Sequence, residues 1–183
     1  MQSRFIDKKI IYDGAQLKPL YAYLNHQVKG NSIIAFAGAC DVSFEHMVDA
    51  EDLVEFSPIK SDHMLHLIVE IFDSSLLAAV SLQRLLASII QNALIEKTKQ
   101  EILRKGDDLY WQNKKLSVSI ASRSAVSAMI HFGMNIENAG TPVPTCALRD
   151  FGLDAKPFAE EVMRLFAAEF VSIVEATQKV KPL

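Results

Sequence analysis

The pattern of apolar and polar positions is sharpest between Arg104 and Ile136, which reads RKGDDLYWQNKKLSVSIASRSAVSAMIHFGMNI. Two runs inside it, Lys115 to Ala121 and Ser127 to Ile136, alternate as adjacent antiparallel strands do. In the first, Leu116, Val118 and Ile120 fall on one face, and Lys115, Ser117, Ser119 and Ala121 on the other. In the second, Ile130, Phe132, Met134 and Ile136 oppose His131, Gly133 and Asn135. Side chains alternate along a strand, so each run predicts an apolar face and a small, polar one. Small residues over two neighbouring strands leave room for a ligand on the sheet, with one lysine, one histidine and one asparagine directed at it.

Similar patterns predict the other elements. Arg4 to Tyr12 reads as a strand closed by an Asp13-Gly14 turn. Leu17, Leu20, Tyr21 and Leu24 predict a helix over Ala15 to Val28, ended at Gly30-Asn31. Ser32 to Ala37 reads as a buried strand, Cys40 to Asp52 as loop or ragged strand, and His63 to Phe72 as a strand. Ser74 or Ser75 caps a long helix from Leu76 to about Lys97. Ile102 to Trp111 and Lys115 to Ser122 read as a hairpin turning at Gln112-Asn113, and Thr141 to Thr145 as a loop. Asp154 caps a last helix from about Lys156 to Gln178, with the stripe Phe158, Val162, Leu165, Phe166, Phe170, Val171 and Val174.

The order β-α-β-β-α-β-β-β-α predicts an α+β fold, a largely antiparallel sheet with helices packed on one face. No regular βαβ alternation, GxGxxG or GxxxxGK[ST] is present, which argues against a doubly wound nucleotide-binding fold. At 183 residues the chain is expected to form a single domain over residues 1–183.

Composition removes several function classes. A net charge of −3 leaves no basic footprint for nucleic acid or an anionic membrane. Two cysteines, Cys40 and Cys146, do not make a disulfide framework. The start MQSRFIDKK has no apolar segment behind it, and Leu76 to Leu94 is interrupted by Ser81, Gln83, Arg84 and Gln91. Neither a signal peptide nor a membrane span is expected, and the expected location is cytoplasmic.

Each candidate for chemistry has a plainer reading beside it. Lys115 follows a hairpin turn, where a cation can orient a carboxylate or phosphate and stabilise developing negative charge. The plainer reading of Lys114-Lys115 is a solvated hairpin tip. Gly106-Asp107-Asp108 enters the preceding strand, and two carboxylates beside a glycine suit Mg²⁺ or a polar ligand group. An exposed acidic bend is the alternative, and Asp108 is the stronger of the pair because it leads into Leu109-Tyr110. His131 and Asn135 share a strand parity, with Gly133 between them marking a close approach by ligand or backbone. The alternative is a core histidine beside a glycine bulge. His46, His63 and His66 show no recognised metal-ligand spacing.

GDDLY, KLSVSIA and HFGMNI, following a long helix, resemble the core of the biotin and lipoate protein ligases. Lipoate ligases show a GRNDL-type motif, a K[IV]SGSA-type strand and a strand with a histidine-glycine pair. Biotin ligases show K[IVL]xGIL and GIGINVN. Over nearly its full length the chain is identified as a member of a conserved prokaryotic family catalogued as domain of unknown function 366. That family is expected to share the fold of class II aminoacyl-tRNA synthetases and biotin ligases.

The resemblance implies a sheet that holds an acyl-adenylate, with ATP and Mg²⁺ as cofactors. Lys115 would contact the acyl carbonyl and the phosphate. Asp108, or Asp107 with Gly106, would sit near nucleotide and metal. Ser117, Ser119 and Gly133 would floor the acyl site, and His131 and Asn135 would line it. A homodimer is implied as well, because sheets of this family often continue across a dimer.

The chain departs from the ligases in lacking their GRGRRGR or RRxGGG loop. The corresponding region, Phe36 to Asp52, is acidic. Octanoyltransferase relatives use a cysteine nucleophile near a later loop, which points to Cys146. The expectation is therefore an acyl or carboxylate ligase-like or transferase-like enzyme for a small carboxylic acid. The alternative is a binding or interaction protein that kept the fold without the adenylate loop.

Overall fold

The computed structural model describes residues 1–181. The last two residues of the expected domain lie outside that range. A five-stranded sheet runs in the order β1 (Gln2–Ile6), β2 (Ser32–Val42), β3 (Ile59–Phe72), β8 (Ser127–Asn135), β7 (Ser117–Arg123). Only the β1–β2 pair is parallel. A smaller sheet orders β4 (Leu103–Lys105), β5 (Asp108–Trp111) and β6 (Lys114–Lys115). The helices are α1 (Tyr21–His26), α2 (Ala50–Glu55), α3 (Leu76–Thr98) and α4 (Ala155–Thr177). The mixed α+β class and the dominance of antiparallel pairing are as expected.

The two long helices cover one face of the large sheet. Ser75 Oγ accepts from the Ala78 amide at the start of α3, and Asp154 Oδ1 accepts from Lys156 at the start of α4. Leu86, Ile90 and Leu94 of α3 and Phe158, Val162 and Phe166 of α4 bury against Leu67, Ile130 and Phe132 of the strands. By length and composition α3 could cross a bilayer, yet here it lies along the sheet with its inner face in the core. The stripe of α4 ends sooner than expected: Val171 and Val174 are exposed, because the last turns run past the sheet.

The other face is partly covered by the N-terminal segment, so helices do not lie on one face alone. Tyr12, Tyr21, Ala22 and Val28 pack on Ile34, Phe36, Met64 and Ile68. The helix expected over Ala15 to Val28 shrinks to α1. Pro19 has no amide to donate and keeps Lys18 out of the helical region, so the helix starts only after Leu20. β1 likewise stops at Ile6, and the chain continues as a strap over β2. Ile10 N donates to Ala37 O, Tyr12 N to Ala39 O, and Asp41 N to Tyr12 O. Gly38 permits this crossing: a Cβ there would lie 1.9 Å from the Ile10 carbonyl oxygen.

Three further boundaries differ from the sequence reading. β2 extends through a register shift between Gly38 and Cys40 as far as Val42. The acidic stretch beyond it forms a 3₁₀ turn at Phe44–His46 and then α2, whose first amides are capped by Asp49 Oδ1. Ile102 to Trp111, read as one strand, is itself a hairpin, β4 and β5, with Lys105 paired to Asp108 and Gly106 at φ +66 in the turn. The turn at Gln112-Asn113 is as expected, both residues taking the positive φ that a two-residue hairpin loop needs.

Candidate functional site

The register of β7 on β8 overturns the expected shared polar face. Ser117 pairs with Met134 and Ser119 with Phe132, whereas Val118 pairs with Gly133 and Ile120 with His131. Cross-strand partners project to the same side of a sheet. Ser117 and Ser119 therefore share the helix side of β7, and Val118 and Ile120 share the other side with His131 and Gly133. The Ser117 hydroxyl accepts from the Leu109 amide, and Ser119 Oγ donates to Asp107. The hydroxyls of the polar parity bond the small sheet and Asp107 while the apolar parity faces the cavity, and Ser117 and Ser119 still form part of its lining.

Lys115 nevertheless reaches that cavity. β6 ends at Lys115 and β7 begins at Ser117. Leu116 between them is buried in the core, donating its amide to Leu109 O and accepting from Asn135 N. This break resets the alternation, so Lys115 and Val118 line the same space.

The cavity encloses about 330 Å³. Leu17, Val42, Met47, Ile59, Met64 and Val118 supply apolar walls; Lys115, Asp108, Asn135 and His131 are the polar groups placed among them. An apolar hollow with a few convergent polar groups is the usual form of a small-molecule site. Lys115 Nζ lies 2.8 Å from Asp108 Oδ2, and Tyr110 Oη donates to the same oxygen at 3.3 Å. Burial pulls the Lys115 ammonium down, but the hydrogen bond and charge of Asp108, with Tyr110 and Asp52, outweigh it and leave its pKa raised. Asp52 has its carboxyl pushed up by burial and by Asp49, with Lys115 acting the other way.

The remaining expected residues divide. Asn135 lines the cavity and donates Nδ2 to Cys146 O at 3.3 Å. Gly133 sits behind the lining, where a Cβ would meet Met64 Cε at 2.9 Å. Gly106 is away from the cavity, against the Arg84 guanidinium. Asp107 touches the rim, but its carboxylate is occupied by Arg84 at 2.9 Å, Gln83 at 2.8 Å and Ser119 at 2.6 Å. It ties the β4–β5 turn to α3.

Cys146 is fully buried in the main core, its thiol pushed up to about 11 by burial, and it is not part of the lining. The cysteine reading of a transferase finds no support here. Cys40 is buried too, its thiol pushed up to about 12 by burial and then by Asp41.

The sequence reading missed Tyr12 and weighed His66 only as a metal ligand. Tyr12 stacks on His131 with centroids 3.7 Å apart and planes 8° apart, and His66 Nδ1 lies 3.0 Å from His131 Nε2. His66 and His131 are 65 positions apart in sequence, and only the β3–β8 register, with His66 opposite Gly133, brings them together. The one local signal was that His66 sits on a buried strand.

A five-stranded, mostly antiparallel sheet backed by two long helices, with a ligand-sized cavity against its other face, is the fold of the biotin and lipoate protein ligases. The biotin protein ligase from Aquifex aeolicus, solved with biotin and ATP, superposes with a TM-score of 0.60 at 15% identity, over 90% of this chain and 69% of that one. Protein Ta0514 from T. acidophilum, solved with bound lipoic acid, superposes with a TM-score of 0.60 at 11% identity, over 94% and 87%.

The chain belongs to the family described as Domain of unknown function (DUF366), whose profile matches residues 1–181. Within it, an uncharacterized protein of Methanocaldococcus jannaschii, MJ0805, is 34% identical over 185 residues, 98% of this chain and 84% of that one. A protein of unknown function from Pyrococcus horikoshi superposes with a TM-score of 0.95 at 36% identity, each chain fully covered.

Proposed function

We propose that this protein binds a small carboxylic acid in the cavity and acts on an already activated form of it, as a transferase-like enzyme with a ligase-like fold. The observation that carries the reading is Lys115, a cation held by Asp108 at the edge of an apolar hollow. The ligand's hydrocarbon part would lie against Val118, Ile120 and Met64, and its carboxylate or acyl oxygen would take the Lys115 ammonium. When a nucleophile attacks the acyl carbon of a thioester of that acid, the acyl oxygen gains negative charge before the carbon–sulfur bond breaks and the thiolate leaves. A fixed cation at the cavity mouth stabilises that charge, by less than the roughly 3–4 kcal/mol of a fully enclosed donor. Asp108 and Tyr110 keep the ammonium at the cavity edge while it waits for the acid.

A nucleoside triphosphate does not fit the residues present. The lining lysines are Lys60 and Lys115, each already paired with an aspartate, while Asp49, Asp52 and Asp108 face the same space. Three carboxylates would repel a polyphosphate. That same observation favours a second reading, a protein that binds an acid without activating it.

Thermal unfolding with octanoate, lipoate and biotin, each alone and with Mg·ATP, tests acid binding. A ligand at about 100 times its Kd adds about 2.7 kcal/mol, a rise on the order of 5–10 °C for a chain of this size. A rise with an acid alone, lost in Lys115→Met, is expected. A rise that needs ATP as well would refute the argument from the acidic lining, and no rise with any acid would end the reading. The rate of hydroxamate formation from octanoyl and lipoyl thioesters with hydroxylamine then separates enzyme from binder: it should not exceed the uncatalysed rate if the protein only binds.

A further inference from the structure

The cavity has an open end and a closed one. The Asn135 amide donates to the Leu116 carbonyl across the ladder, which puts Lys115 at the Asn135 end of β8. His131 lies four residues further along β8, about 13 Å away at the rise of an extended strand. At the Lys115 end the side chains of the ion pair keep 31% and 24% of their surface. At the other end Tyr12 and His131 are each 3% exposed. A ligand anchored on Lys115 and running along the sheet therefore meets His131 with its far end.

That far end is not merely apolar. His131 Nε2 is engaged with His66 Nδ1 at 3.0 Å, and the imidazole lies face to face with Tyr12. Its remaining nitrogen, Nδ1, has no hydrogen-bond partner among the described residues. It is also absent from the fully enclosed unpartnered atoms, so it borders the cavity. Burial, and for His131 the neighbouring His66, push both imidazoles toward the neutral form. A neutral imidazole pair shares one proton on its inner bond, and moving that proton with the tautomers makes His131 Nδ1 either a donor or an acceptor. His66 Nε2 is fully buried without a partner, leaving the inner ring able to hold its proton on either nitrogen.

We propose that the end of the cavity formed by His131 and Tyr12, with His66 behind His131, is a subsite for an uncharged hydrogen-bonding group on the ligand, about 13 Å along the sheet from the Asn135 end where Lys115 holds the carboxylate. The subsite rests on the acid-binding reading and narrows it: the substrates are acids with a neutral polar head, such as an amide, and not plain alkyl acids. A terminal methyl placed there would bury His131 Nδ1 without a partner, and a charged head would face a site with no counter-charge.

Calorimetric titration of the full chain with suberamic acid and nonanoic acid tests this, because the two match in length and differ in a terminal amide against a methyl. The wild-type protein should prefer the amide by roughly tenfold or more, the size expected for one buried hydrogen bond. His131→Phe should erase the preference while Lys115→Met weakens both acids alike. Equal binding of the two by the wild type would overturn the subsite yet leave acid binding standing, since Lys115→Met would still weaken both. Binding of neither would end the acid-binding reading and the subsite together. Should His131→Phe fail to fold, the ¹⁵N resonance of His131 Nδ1 in the wild type gives the answer. It should move with suberamic acid and not with nonanoic acid, and no difference between them would overturn the proposal.

Discussion

Asp107 and Asp108 are neighbours with opposite work, and separate substitutions should show it. Asp107→Ala removes the acceptor shared by Gln83 Nε2, Ser119 Oγ and Arg84 Nη1. A hydrogen bond to a carboxylate contributes about 1.5–3 kcal/mol, but Gln83 and Ser119 stay 2.7 Å apart and re-pair, so about 1 kcal/mol each is the better figure. The Arg84 side chain keeps 42% of its surface, which holds its ion pair to about 0.5 kcal/mol. The expected loss is about 2–3 kcal/mol, or roughly 5–10 °C in Tm. Asp108→Ala breaks a single pair with Lys115 and a long bond from Tyr110 and should cost about 1 kcal/mol or less. Urea unfolding followed by acid titration of both variants provides the comparison. Asp107→Ala should be destabilised with acid affinity unchanged, and Asp108→Ala stable with affinity altered. A stable Asp107→Ala with altered affinity would refute the assignment of Asp107 to the fold.

Other outcomes follow from the same geometry. Gly38→Ala puts a methyl into the Ile10 carbonyl and should cost about 1–3 kcal/mol, displacing the strap that carries Tyr12. A variant as stable as wild type by urea unfolding would contradict that crossing. His66 is held near pKa 4 in the fold against 6.5 unfolded. Above pH 6.5 both states are neutral there and the pair adds no pH dependence to stability; below it the unfolded chain gains protons that the native pair refuses. Stability should therefore fall between pH 6.5 and 4, by on the order of 3 kcal/mol from His66 alone, with His131 acting in the same direction. A pH profile for His66→Phe as steep as that of the wild type would contradict this. Ile90→Ala, fully buried in the main core, should cost about 2–5 kcal/mol by the same unfolding assay.

Much of this molecule was legible in local chemistry. Ser75 and Asp154 cap the helices expected of them, Gln112-Asn113 makes its turn, and the alternation around Val118 and His131 marks two paired strands. Lys115 and Asp108 stood out because a lysine after a hairpin and an aspartate entering a strand are local features. Faces and partners were not legible. Alternation says which residues of one strand share a side, but only the register says which side of the next strand they join. The register put Ser117 and Ser119 with Phe132 and Met134 rather than with His131. The break at Leu116 is a tertiary event too, since its amide and carbonyl are taken by Leu109 and Asn135 from two other strands. Pro19 could be read directly as a helix stop, whereas the strap beyond β1 depends on Gly38 meeting Ile10 across the sheet end. Asp107 reads in sequence like Asp108 and differs only because Arg84, Gln83 and Ser119 converge on it. His66 and His131 become a pair only through strands that chain folding sets side by side, because contacts across 65 residues are decided by packing and not by any local preference.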